Sequence, residues 1–183
     1  MKKIDGQAAH EYRYRWPPEP IGPGRQAAVF VMLNPATERQ ENDASGRHPT
    51  RECCLGFARR WGCELVTVNL FAWRALKPPE LATVADPIGP ENNSHIIAAA
   101  HEAVASGGLL ICAWGDFPGK VTARRSWAFR DRDRTVMRLL ATTPAQPMAL
   151  GSPTDDGTTD NGSPRHPLFM ASNRFPVPYR ERP

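Results

Sequence analysis

Two asparagines and one histidine stand where the chain leaves apolar runs, and these residue types can bind and polarise a flat polar ligand. Asn34 and Pro35 follow the run in "VMLNPAT", Asn69 closes "ELVTVNL", and His166 sits in "PRHPLFM". An asparagine amide offers a carbonyl acceptor and an N–H donor in one plane, which matches the donor–acceptor edge of a pyrimidine or purine. It has no useful basicity, so Asn34 is suited to orienting a water and Asn69 to reading an edge. A neutral histidine can donate a hydrogen bond where negative charge develops, and one such preorganised donor contributes ~3–4 kcal/mol. Phe71 and Trp114 supply faces for stacking an unpaired base. If a true base is required, Asp43 in "ERQENDASG" is the nearest acid after the first run, a second-tier candidate because initiating a turn in a polar loop is the favoured reading of it.

These residues need elements that bring them together. "AAVFVML" (27–33) predicts a buried strand. Thr50 can then cap a helix whose inner face is Cys54, Phe57, Ala58 and Trp61, stopped by Gly62. "ELVTVNL" (64–70) predicts the second strand. A helix from about Glu91 follows, with Ile97, Ala100 and Val104 at helical spacing and Gly107 and Gly108 at its end. "LLICAW" (109–114) predicts a third strand, "RDRTVMRLL" a helix, and "PMAL" (147–150) a short fourth strand. Strands separated by helices require crossover connections. The expected fold is therefore a three-layer α/β domain with a central, mostly parallel four-stranded sheet and helices on both faces. In such a sheet ligands bind beyond the carboxyl ends of the strands, where Asn34, Asn69, Trp114 and His166 would converge. "SPTDDGTTDNGSP" (152–164) reads as a flexible, turn-rich loop with no means of packing a core, and the tail after Asn173 as irregular.

Composition narrows the function classes. At 183 residues the chain suits a single domain able to bury its own core. No apolar stretch approaches a membrane span, and "MKKIDGQ" leads into no hydrophobic signal segment, so a cytoplasmic protein with no membrane partner is expected. The four cysteines form no CxxC pair and lack histidines at zinc-finger spacing, so buried thiols are expected and no metal or other cofactor is called for. Asp86 in "ADPIGPEN" reads as turn chemistry before a helix, and His48 in "GRHPT" as a turn or cap. There is no GxSxG, HExxH or GxGxxG motif.

The motifs "YRYRW", "VMLNPAT", "PTRECCLGFARRWG", "VNLFAWRA", "ADPIGPENN", "AWG" and "PRHPLFM" together resemble the bacterial family catalogued as domain of unknown function 1643, over about residues 12–175. More distantly, the ordered set "LNPA", "VNLFAWR", "CAWG" and "RHPLFM" is similar to the strand-end motifs of the uracil-DNA glycosylase superfamily. That resemblance implies a glycosylase-like fold, with Asn34 positioning the attacking water, Asn69 reading the base and His166 stabilising the departing base. The chain differs in carrying Leu168 after the His-Pro, where the glycosylases usually place a serine, and in the long acidic insertion before it. The glycosylases' DNA-wedging loop is therefore not carried over.

A formal charge of +4 permits a nucleic-acid partner without demanding one. Lys120, Arg124, Arg125 and Arg130 alternate with Trp127 and Phe129, which suits a phosphate backbone and unstacked bases. Pairing of these arginines with Asp131 and Asp133 on a solvated helix is the competing expectation. Arg47, Arg51 and Arg74 lie near the proposed rim and are suited to a phosphate or to a carboxylate of the chain itself. The sequence thus predicts a nucleobase-bearing substrate, in DNA or as a free nucleoside or nucleotide, cleaved at its N-glycosidic bond. The alternative is a binding module that keeps the base pocket without catalysis; a hydrolase or transferase acting on an unrelated small molecule is a third possibility.

Overall fold

The computed structural model describes residues 12–36, 48–117 and 129–180. Its centre is a six-stranded mixed sheet in the order β1-β3-β2-β4-β5-β6. The strands are β1 (Arg15–Trp16), β2 (Gln26–Met32), β3 (Cys63–Asn69), β4 (Leu109–Cys112), β5 (Pro147–Gly151) and β6 (Phe175–Pro178). The inner four, β3, β2, β4 and β5, pair in parallel, as the crossover argument requires. Each edge then gains an antiparallel strand that the sequence analysis did not anticipate. The sheet is therefore six-stranded and mixed, where a four-stranded one was expected. β6 forms within the tail expected to be irregular. Its two prolines are tolerable because an edge strand has one side on which no ladder hydrogen bond is needed.

The alternation of side chains across the pleat divides the core in two. Ala27, Val29 and Val31 face α2 (Asn92–Ala105) and α3 (Arg132–Leu140), whereas Ala28, Phe30 and Met32 face α1 (Pro49–Arg60). All six are nearly or wholly buried, because a central parallel strand is covered on both faces. α1 buries Cys54, Phe57 and Ala58 as predicted, and Trp61 stacks on Phe30 and Phe57. α1 starts earlier than predicted: its cap is His48, whose Nδ1 accepts from the Arg51 N–H at 3.4 Å, with Pro49 in the first turn. α2 begins where predicted, but its buried stripe is Ile96, Ala99, Ala100 and Ala103, with Val104 exposed. The adjacent isoleucines, Ile96 and Ile97, permit two helical phases, and packing against β2 and β3 selects the one through Ile96. Among the described residues no helix is long and apolar enough to cross a membrane.

The segment 152–164, expected to lack a means of packing, is folded down by its own acidic side chains. Asp155 accepts from the Gly157 N–H at 3.0 Å and pairs with Arg165 at 2.7 Å and Arg174 at 3.3 Å. Isolated bridges join Ser152 to Asp155 and Thr158 to Pro164, and Ser163 is completely buried.

The carboxyl end of β3 is fixed by a buried amide. Asn92, wholly inaccessible at the start of α2, donates through Nδ2 to the Asn69 and Leu70 carbonyls at 3.0 and 2.9 Å. Arg132 from α3 donates its Nε–H to the same Leu70 carbonyl at 2.8 Å. Burial pulls the Arg132 guanidinium down to about 10, partly offset by Asp86, so it stays charged at neutral pH. Substituting Asn92→Ala removes both amide bonds and leaves the Asn69 carbonyl unsatisfied. The expected cost is about 1–3 kcal/mol, read as a lowered urea midpoint at unchanged slope. A variant as stable as the wild type would show that these carbonyls need no cap.

Candidate functional site

A cavity of about 700 Å³ opens at the carboxyl edge of the parallel strands. Asn34, Pro35, Asn69, Trp114 and His166 all line it, so residues from four separate chain exits meet as the sequence analysis expected.

Asn34 lies just beyond β2, and its side chain ties two strand-end loops together. Nδ2 donates to the Pro35 carbonyl and the Ala75 carbonyl, each at 3.0 Å. Both N–H bonds are thereby used, and the carbonyl oxygen is what Asn34 offers to the cavity. Asn69 is nearly buried as the last residue of β3. It shares strand parity with Thr67, which also lines the cavity, while Val66 and Val68 point to the opposite core. A one-residue shift in β3 register would turn Asn69 away from the cavity.

His166 is the cap of a short 3-10 helix (Pro167–Phe169), and its Nδ1 accepts from the Leu168 N–H at 3.3 Å. An imidazole that accepts at Nδ1 carries its proton on Nε2, which makes Nε2–H the donor of this residue. Burial, and secondarily the neighbouring His48, hold its pKa down to about 4, so the ring is neutral at physiological pH. Gly115 makes room for it: the residue adopts φ +67°, and an added Cβ there would come within 3.1 Å of the His166 Cβ. Its N–H also donates to the Pro164 carbonyl at 2.8 Å, joining the exit of β4 to the chain just before the histidine.

Other expected residues fall elsewhere. Phe71 is wholly buried and packs edge-to-face against Phe117 and Phe129 in the core behind the site, so it is not among the described cavity walls. A buried strand-exit aromatic cannot be told from a stacking wall by sequence alone. Arg74 is likewise not among the described lining residues, although its charge reaches Arg13. Asp86 performs its turn role, accepting from the Ile88 and Gly89 N–H groups at 3.0 Å each. Asp43, Lys120, Arg124 and Arg125 lie outside the described residues. Arg130 is exposed and pairs with Asp131 at 3.3 Å, the local pairing set against nucleic-acid contact.

The sequence analysis missed four contributors. Trp16 and Arg13, on the arm leading into and through β1, line the cavity, as do Asp116 and Phe169. The arm's role arises from its antiparallel pairing across β3, a contact between segments far apart in the chain. Asp116 had a signal, since it directly follows the strand-exit "AWG". Its two carboxylate oxygens accept from the Thr159 hydroxyl and the Asn161 amide, each at 3.0 Å. Three of the exposed large apolar residues, Leu76, Leu168 and Phe169, belong to the same cavity and give it an apolar component. Trp114 is almost completely buried, and its Nε1–H has no partner among the described residues.

Cys54, Cys63 and Cys112 are buried thiols as expected, whereas Cys53 is only partly buried. Cys54, at the cavity wall, is pushed up to about 12 by burial, and Cys112 is raised by complete burial. Among the described residues no three His, Cys, Asp or Glu side chains form a group able to hold a metal ion.

These features define a mixed α/β domain with a ligand-sized cavity at the carboxyl edge of its parallel strands. The chain belongs to the family described as "Protein of unknown function (DUF1643)", which matches residues 13–168. No curated protein and no solved structure matches it.

The protonation state of His166 has a measurable consequence. With a pKa of about 4 in the folded chain against an ordinary value of 6.5, the ring takes up its proton preferentially when unfolded. Its contribution to stability is therefore constant above pH 6.5 and declines as pH falls from 6.5 towards 4. Urea denaturation at pH 7 and pH 4.5 is expected to show a smaller loss for His166→Gln than for wild type. Equal losses would mean that the ring titrates normally in the folded protein.

Proposed function

We propose that the chain is a nucleobase-recognising N-glycosidase, acting on DNA or on a free nucleoside or nucleotide, with a glycosylase-like arrangement of its strand exits. The observation that carries this reading is that Asn34, Asn69, Trp114 and His166 line one cavity, with His166 neutral and bearing its proton on Nε2.

In this reading a water oxygen attacks the anomeric carbon, the carbon–nitrogen bond breaks, and the base departs with the bonding electron pair. Positive charge grows on the sugar and negative charge on the base. The Nε2–H of His166 donates to a base oxygen as that charge develops. Asn69 holds the base edge through its coplanar donor and acceptor. The free carbonyl of Asn34 accepts one water hydrogen and aims the oxygen. The water's proton needs a carboxylate, and Asp116 at the cavity or Asp43, which follows β2 in the sequence, is the candidate. Trp16 and Phe169 provide the aromatic surface for a base withdrawn from its stack, whereas Trp114 lines the cavity almost completely buried.

A non-catalytic nucleobase- or DNA-binding module is the second reading, and the structural duty of Asn34 favours it. An asparagine that ties Pro35 to Ala75 has a reason to be present without any chemistry.

The test is release of free base, detected by mass spectrometry, from oligonucleotides and nucleosides carrying uracil, hypoxanthine, or oxidised or alkylated bases. Wild type is expected to release one of them, with His166→Ala slower by about 10²–10³-fold and Asn34→Ala comparably impaired. Saturable binding without release, lost in Asn69→Ala, would establish the binding module. Absence of both binding and release would contradict both readings.

A further inference from the structure

Asp116 is the one carboxylate among the described residues that line the cavity. It comes directly after Trp114 and Gly115, beyond β4, and β4 pairs with β2 so that Cys112 stands opposite Val31. The Ala113 N–H extends that pairing with a bond to the Val31 carbonyl at 2.9 Å. Asn34 and Asp116 therefore reach the cavity from neighbouring strand exits. His166 arrives at the same exit from the opposite direction, because the Gly115 N–H holds the Pro164 carbonyl at 2.8 Å.

Both oxygens of Asp116 are held by neutral donors. The Thr159 hydroxyl donates to Oδ1 and the Asn161 amide to Oδ2, each at 3.0 Å. The Thr159 oxygen also accepts the Ser163 N–H at 3.3 Å, which leaves its proton directed at Asp116. The turn carrying both donors is itself closed, with the Thr159 N–H on the Ser163 carbonyl at 2.8 Å and the Gly162 N–H on the Thr159 carbonyl at 2.9 Å. The Tyr179 hydroxyl donates to the Gly162 carbonyl at 3.2 Å, and its ring meets Trp114 edge-on. The turn is thus braced against the strand exit that carries Asp116.

A carboxylate has about four lone-pair directions, so one hydrogen bond to each oxygen leaves acceptor capacity on both. Neutral donors fix its plane without cancelling its charge, as a paired cation would. Among the described residues no cation pairs with Asp116, and Arg165, which also lines the cavity, is matched by Asp155 at 2.7 Å. Orientation without neutralisation is what a proton acceptor requires.

We propose that Asp116 is the general base of this cavity and that Thr159 and Asn161 are its positioning residues. This rests on the glycosidase reading, and it selects Asp116 over Asp43. As the water oxygen bonds to the anomeric carbon, one water proton passes to an open lone pair of Asp116. The carbon–nitrogen bond breaks and its electron pair leaves with the base, where the His166 Nε2–H meets the charge. Asp116 then gives its proton to solvent and the base takes one up, so water is divided between sugar and base and the carboxylate is restored.

Substituting Asp116→Asn separates the base from the tie. The substituted amide can accept from Thr159 and donate to a turned-over Asn161 carbonyl, but it cannot take up a proton. The experiment has two arms. In the first, the ¹⁵N-labelled protein without substrate is compared with Asp116→Ala. The Asn161 side-chain amide is expected to shift and to exchange faster with water, while the Asn92 amide, bonded elsewhere, stays in place. No change at Asn161 would overturn its positioning role whether or not any substrate is cleaved. In the second, base release is timed on the oligonucleotide or nucleoside that wild type cleaves. Asp116→Asn is expected to lower kcat by about 10²–10⁴-fold, with KM little changed and the urea midpoint retained. Added formate is expected to restore part of the rate of Asp116→Ala by accepting the proton in the vacated space. Thr159→Val and Asn161→Ala lower kcat by up to about 10²-fold, and Thr159→Ser recovers most of that loss. Wild-type release with kcat intact in Asp116→Asn, whether or not KM rises, would refute Asp116 as the base and leave the glycosidase reading standing. No release by wild type from any substrate would remove the glycosidase reading and the base role with it, while the first arm still decides whether Asn161 holds the carboxylate.

Discussion

The structure depends on how the chain ends its parallel strands. A strand that stops beside two continuing neighbours leaves N–H and carbonyl groups that must be paired before the backbone can turn away. Here the ladder runs on past β2 on both sides. Leu70 and Phe71 donate to the Met32 and Leu33 carbonyls at 2.8 and 3.0 Å, and Ala113 donates to the Val31 carbonyl at 2.9 Å. The carbonyls of Asn69 and Leu70 are then closed by Asn92 and Arg132 from helices on one face. Because these exits are fixed relative to one another, the side chains they carry have fixed positions too. Asn34, Asn69 and Trp114 derive their geometry from this shared edge.

The same economy applies to the two histidines followed by proline. His48 and His166 each begin a helical segment, each accepting a backbone N–H through Nδ1, and both line the cavity. A cap needs an acceptor at one ring nitrogen, which leaves the proton on the other. Structural capping therefore presets the tautomer, and partial burial keeps His166 uncharged. Preorganisation of a neutral donor requires nothing beyond what the local fold already imposes.

Much of this was legible from the sequence. The four inner strands announce themselves because strands covered on both faces read as unbroken apolar runs, as in "AAVFVML", and polar residues at the ends of such runs fall on the ligand-binding edge of a parallel sheet. What was not legible came from pairing at long range. β1 has only two residues, and β6 alternates with proline, so neither carries a local signal. Arg13 and Trp16 reach the cavity only because the arm crosses β3. The segment 152–164 looked unstructured because its order comes from Asp155 meeting Arg165 and Arg174, contacts that composition does not record. Phe71 failed as a stacking wall for a related reason: its neighbours Phe117 and Phe129 come from later in the chain and enclose it.

The central claim is that this edge holds a nucleobase through Asn69 beside Trp114. The most direct measurement is a titration of the ¹⁵N-labelled protein with individual nucleobases and nucleotides while the Asn69 side-chain amide and the Trp114 indole N–H are observed. The account predicts that at least one base shifts both resonances together and saturably. If every base leaves both unmoved in the folded protein, the cavity is not a nucleobase site.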